Sequence, residues 1–176
     1  MGLFGERTAL LIADMIFDFA EPEGKLYVPG IERIVPTIAS LIAEAREAGS
    51  PIIYVNDWHD PDDKEFKQWG VHAVAGTPGA EVIKELAPAP GDRVLHKKRY
   101  SAFYETGLDE LLSELGIEHL VITGTVTNIC VLVTAIEALM RGYRVTVPHD
   151  AVHALTEEDH GFALDQMERV FGASVV

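Results

Sequence analysis

Apolar positions along the chain come in short unbroken runs, and the segments between them have helical period. Ala9-Leu10-Leu11-Ile12-Ala13 is apolar at every position and ends at Asp14, which predicts a strand buried on both faces. Ile31 to Ala48 places apolar residues at helical spacing, with Gly49 as its stop and Pro51 just beyond. Pro51 to Asn56 reads as a second strand, ending at Asp57. Pro78 to Leu86 reads as a short helix opened by proline, and Arg93-Val94-Leu95-His96 as a third strand ending at Lys97. Leu108 to Leu115 is an amphipathic helix closed by Gly116. His119 to Thr123 is a fourth strand, followed by a turn and a helix from Asn128 to Met140. Tyr143 to Val147 is a fifth strand, Glu157 to Phe171 the last helix, and Ala173 to Val176 a short closing strand.

Continuous apolar strands alternating with helices predict an α/β fold. The expectation is a three-layer αβα sandwich around a mostly parallel, roughly six-stranded sheet, with residues 1–176 forming one domain. The longest stretch without periodicity runs from Asn56 to Thr77. Its content (Trp58, His59, Phe66, Trp69, His72) is too aromatic for disorder and reads as a site-building loop.

Composition narrows the partners. A formal net charge of −14 works against phosphate backbones and anionic membrane faces, and His96-Lys97-Lys98-Arg99 is too short for a nucleic-acid stripe. No apolar run reaches the roughly 18 residues that span a bilayer. Charges within Met1 to Thr8 argue against a signal peptide, and Glu6 breaks the myristoylation pattern. The expected partner is a small molecule. One cysteine, Cys130, makes no internal disulfide, which points to a reducing, cytoplasmic compartment.

Ligands of open parallel sheets bind beyond the carboxyl ends of the strands. Asp14, Asp57, Lys97 and the turn Gly124 to Cys130 all stand there. A carboxylate ending one strand is more often a cap, and a single lysine more often a surface residue. Reactive types ending several strands on one edge mark a site. Thr127 or Asn128 caps the next helix, so Cys130 falls in its first turn, where backbone N–H groups favour a thiolate and an oxyanion. The competing reading is a small core residue, since Ile129, Val131, Leu132 and Val133 are all apolar. Helix position favours reactivity, and local composition does not decide. Asp14, ending a buried strand, is the better candidate base, and Lys97 supplies positive charge near both.

Four segments together resemble the isochorismatase-like cysteine hydrolases, in particular their nicotinamidase branch. They are Asp14-Met15-Ile16-Phe17-Asp18-Phe19, then Asp57-Trp58-His59 with Trp69-Gly70-Val71-His72 and Gly76-Thr77-Pro78-Gly79-Ala80-Glu81. The others are Lys97-Lys98-Arg99-Tyr100-Ser101-Ala102-Phe103 and Gly124-Thr125-Val126-Thr127-Asn128-Ile129-Cys130-Val131. The resemblance implies a triad of Asp14, Lys97 and Cys130, acting on a small amide through a thioester. It implies a cis peptide joining Thr125 to Val126, with the Val126 and Cys130 N–H groups as the oxyanion hole. It further implies a homo-oligomer, and a divalent metal on Asp57, His59 and His72 that contacts the ring nitrogen of nicotinamide. Asp63 or Glu65 is the nearest fourth ligand, in place of the histidine found in many relatives. Zinc is the first expectation; the unusual carboxylate would weaken that preference and leaves iron, manganese or a loop without metal as alternatives, and no organic cofactor is implied. Phe19 and Trp69 match the residues that sandwich the ring. Ile16 replaces the usual Gln, and Ala73 stands where a Cys often follows the metal histidine.

Nicotinamide is therefore the first expected substrate. A carbamoyl compound such as N-carbamoylsarcosine or a ureido acid is the alternative, with Arg99 holding its carboxylate. Vinyl-ether hydrolysis is disfavoured because relatives doing that lack the cysteine. A catalytically silent binding protein is the alternative from another class.

Overall fold

A computed structural model of the chain describes residues 2–176. Its centre is a parallel sheet of β1 (Thr8–Ala13), β2 (Ile52–Asp57), β3 (Arg93–Lys97), β4 (His119–Thr125), β5 (Arg144–Val147) and β7 (Ser174–Val175). Their spatial order is β3-β2-β1-β4-β5-β7. A seventh short strand, β6 (Val152–His153), continues the sheet beside the end of β4, pairing Gly124 with Val152 and Thr125 with His153. The helices are α1 (Phe17–Ala20), α2 (Val35–Glu47), α3 (Phe66–Trp69), α4 (Leu108–Glu114), α5 (Leu132–Met140) and α6 (Glu157–Asp165).

The two-residue period of β1 explains the layers. Ala9, Leu11 and Ala13 face one core with Leu108, Leu112, Ala135, Ala138 and Met167 of the helical side. Leu10 and Ile12 face the other, with Ile38, Leu41, Ile42 and Ala45 of α2. Those four recur at helical spacing, which is why α2 lies along the sheet. Unbroken apolar strands are thus the consequence of a sheet covered twice. The architecture is a three-layer α/β sandwich.

Several elements depart from the pattern reading. The helix expected over Pro78 to Leu86 is two 3₁₀ turns, Pro78–Ala80 and Lys84–Leu86. Residues between them are drawn out of helix by the chain leaving β1: Phe17 N–H donates to Glu81, Ile83 N–H donates to Met15, and Ile16 bridges Val82. The helix expected from Ile31 begins as a 3₁₀ turn, and α2 starts only at Val35 because Pro36 supplies no N–H to an earlier turn. A π-type turn over Thr127–Val131 replaces the first turn of the helix expected from Asn128. Strand β3 is an exposed edge rather than a buried strand, with only Lys97 fully enclosed. Among the described residues, no helix is long and apolar enough to cross a membrane.

Gly124 lets β1 and β4 stay paired up to the site. It has φ +109°, and a Cβ there would lie 2.0 Å from the Ala13 carbonyl oxygen. Gly124→Ala is expected to lower the unfolding free energy by about 3 kcal/mol or more. Urea denaturation followed by circular dichroism checks this, and a midpoint unchanged from the parent would refute it.

Candidate active site

The strand order reverses between β1 and β4, which opens a crevice at their carboxyl ends. Register then brings the polar strand ends together. Asp57 and Lys97 are direct neighbours across β2 and β3, and Asp14 follows the Ala13–Val55 pair of β1 and β2. Asp14 adopts φ +56°, turning its side chain back so that its Oδ1 accepts the Asp57 N–H at 2.7 Å.

Lys97 lies fully buried between two carboxylates. Its Nζ is 2.9 Å from Asp14 Oδ2, donates to Asp57 Oδ1, and lies 3.6 Å from Cys130 Sγ. The three predicted residues Asp14, Lys97 and Cys130 are therefore in one cluster. Lys98, by contrast, points outward to Asp60. Burial and the neighbouring Asp57 raise the Asp14 carboxyl to about 6, against the pull of Lys97. Asp57 moves the other way: burial pushes it up, but Lys97 and His59 outweigh burial and hold it below the usual carboxylate range. Lys97 stays charged because Asp14, Asp57 and Cys130 together overcome its desolvation.

Cys130 corrects the sequence expectation. Burial pushes its thiol well above the ordinary value, and a hydrogen bond to Asp14 adds to that, while Lys97 opposes it only in part. A helix start lowers a thiol pKa only if water or dipoles solvate the anion, and here Cys130 is 7 % exposed. The turn itself is held from outside. Thr127 Oγ1 meets His160 Nδ1 at 3.0 Å, Thr125 Oγ1 donates to the His153 carbonyl at 3.2 Å, and the Thr125–Val126 peptide is cis.

Beside the cluster, Asp57, His59, Glu65 and His72 bring donor atoms within 4.8 Å of one another. The side chains suit a divalent cation. His59 Nδ1 faces Asp63 at 3.1 Å and His72 Nδ1 faces the Gly70 carbonyl at 2.8 Å, so both rings turn Nε2 inward. His59 Nε2 is buried and has no hydrogen-bond partner. Burial holds His72 towards its neutral form, while burial and Asp57 raise Glu65. Of the two candidate fourth ligands, Glu65 joins the group and Asp63 stands behind it, braced by Arg99 at 3.1 Å through both oxygens. Arg99 is thus occupied with Asp63, with Glu65 at 3.8 Å, and does not line the cavity.

That cavity, about 140 Å³, leads to Cys130. Phe19 and Trp69 both line it. So do Leu26, Val28, Tyr100, Val126, Ile129 and Leu155, of which the sequence reading assigned only Val126 a place in the site. Tyr100 was legible within the lysine segment; its partner was not, since Trp69 Nε1 donates to its hydroxyl at 3.1 Å across the fold. Asp57, expected as a metal ligand, also joins the four-residue donor group to Lys97.

An isochorismatase domain model matches residues 8–175. The chain belongs to the isochorismatase family. Among solved structures of this family, an N-carbamoylsarcosine amidase from Thermoplasma acidophilum is 41% identical, with a TM-score of 0.88 over 96% of this chain and 95% of that one. A pyrazinamidase/nicotinamidase from Streptococcus mutans is 34% identical, with a TM-score of 0.91 over 96% and 99%. A pyrazinamidase of Pyrococcus horikoshii, in complex with zinc, is 32% identical, with a TM-score of 0.91 over 97% and 98%.

Two predictions follow from the ligand geometry. Glu65→Ala should weaken zinc binding more than Asp63→Asn, whose loss should be about 10–100-fold as for other groups that orient a metal histidine. Competition against a chromogenic chelator measures both, and the reverse ranking would assign the fourth ligand to Asp63.

Proposed function

We propose that this isochorismatase-family chain is a single-domain cysteine amidohydrolase acting on a neutral, planar heteroaromatic amide, with nicotinamide as the leading substrate and nicotinate and ammonia as products. The observation that carries this reading is the cavity lining. Its walls are aromatic and aliphatic, its only charged side chains are Asp57 and Glu65, and among the described residues lining it there is no lysine or arginine. An apolar cavity of about 150 Å³ accepts a single benzene ring. A substrate carboxylate would find no lysine or arginine partner in this lining, because Arg99 is held by Asp63.

In this mechanism Asp14 takes the Cys130 proton as Sγ attacks the amide carbon. The tetrahedral oxyanion is held by the Val126 and Cys130 N–H groups. Its collapse breaks the C–N bond, and Asp14 returns the proton to the departing nitrogen, releasing ammonia and leaving a thioester. Asp14 then takes a proton from water, whose oxygen attacks the thioester carbon. The C–S bond breaks, Asp14 returns its proton to Sγ, and the acid is released with the thiol restored. Lys97 stays protonated throughout and stabilises whichever neighbour carries the negative charge. Asp57, His59, Glu65 and His72 would hold a divalent metal, for which zinc is the first choice, supplying a Lewis-acid contact for a ring nitrogen.

The second reading, N-carbamoyl acid hydrolysis, is favoured by the 41% identity to the Thermoplasma enzyme. An ammonia-release panel of nicotinamide, pyrazinamide, N-carbamoylsarcosine and a ureido acid separates the two, with Cys130→Ala as the blank. Turnover is expected for the aromatic amides alone. Turnover confined to the carbamoyl acids would overturn the substrate, and no turnover of any amide together with unreactive Cys130 would overturn the enzyme. Because Asp14 must be ionised to accept the thiol proton, kcat/KM should rise with pH through about 6 and then level. A profile falling over that interval would remove Asp14 as base.

A further inference from the structure

Asp18 is a second buried carboxylate, 2 % exposed, on the one-turn helix α1. Its partners are backbone N–H groups from distant segments. Oδ2 accepts the Ala73 N–H at 2.8 Å and Oδ1 accepts the Lys25 N–H at 3.2 Å. Gly79 closes over it so tightly that a Cβ there would lie 2.3 Å from Oδ2.

The Ala73 and Lys25 contacts each reach a wall of the site. Ala73 follows His72, is fully buried and has φ +42°, a left-handed conformation disfavoured for a residue with a Cβ. Its N–H is held by Asp18 while its carbonyl accepts the His59 N–H at 2.9 Å. Lys25 leads into Leu26 and Val28, which line the cavity, and their N–H groups donate to the Asp18 and Phe19 carbonyls, both at 2.9 Å. Phe19 is the next residue of α1. One carboxylate therefore ties both inward-facing imidazoles to the aromatic wall, and it touches neither Cys130 nor Lys97.

We propose that Asp18 is a positioning residue that sets His59, His72 and the Phe19 wall in mutual register for metal and ring binding. The inference rests on the metal reading of Asp57, His59, Glu65 and His72. Asp18→Asn keeps the shape but replaces one acceptor oxygen with an amide donor facing an N–H or Gly79. Gly79→Ala drives a methyl into the carboxylate from the other side and should act the same way.

The full chain with either substitution is compared with the parent by zinc affinity, by kcat and KM for nicotinamide, and by the alkylation rate of Cys130 with iodoacetamide. The His72 Nδ1–H signal is followed by NMR in metal-free protein. Expected are an about 10–100-fold loss of zinc affinity, a severalfold rise in KM and a shifted His72 signal. The alkylation rate and kcat should change by less than about twofold. Zinc affinity and His72 signal both unchanged would overturn the proposal. So would an equal loss in every readout, including alkylation, since that is general destabilisation. A parent that takes up no zinc sinks the metal reading alone, and the His72 signal then decides on Asp18. Should Asp18→Asn fail to fold, Gly79→Ala carries the same readouts.

Discussion

The site depends on one buried ammonium, Lys97, shared by two carboxylates. Removing a lysine from water is costly, and only close opposite charge makes it tolerable. With Asp14 and Asp57 both ionised the trio carries one excess negative charge, and the environment decides where that excess is least favourable. Asp57 has His59 as a second support and stays low. Asp14 is fully enclosed, faces Asp57, and rises to about 6. Two chemically identical groups are thereby driven apart, Asp57 below the usual carboxylate range and Asp14 up to about 6.

The parallel sheet makes this arrangement available. Strand register sets Asp57 beside Lys97, and the adjacency of β1 to both β2 and β4 brings Asp14 between them and the Cys130 turn. Gly124 permits that close approach. Because all these groups sit at carboxyl ends, the loops after the strands are free to build the cavity. The stretch from Asn56 to Thr77 supplies Glu65, Trp69 and His72 to its lining, with His59 beside them. The same enclosure that penalises the Lys97 charge pushes the Cys130 thiol above its ordinary value, and Lys97 offsets that only in part.

Much of the fold was legible from periodicity, since unbroken apolar strands and i, i+3, i+4 helix faces report burial directly. The misses share a cause. Residues 78–86 have helical composition, but their backbone groups pair with the chain after β1, and that competition is tertiary. The one-turn α1 and the two-residue β6 are too short to show any period. Position in a first helical turn predicts a lowered thiol pKa at Cys130, whereas burial there pushes it up, because enclosure at a helix start is not written in local sequence.

Residue type and spacing along the chain determined which groups could do chemistry: a cysteine after a strand-to-turn junction, an aspartate and a lysine at strand ends, and a histidine-bearing loop. Only the tertiary structure decided how they divide the work. It placed Glu65 with the donors and Asp63 behind His59, bound Arg99 to Asp63 instead of leaving it for a substrate, and made Asp57 the joint between metal group and lysine. The physical reason is that charge interactions and desolvation depend on distances and enclosure between residues tens of positions apart, and strand register and packing set those.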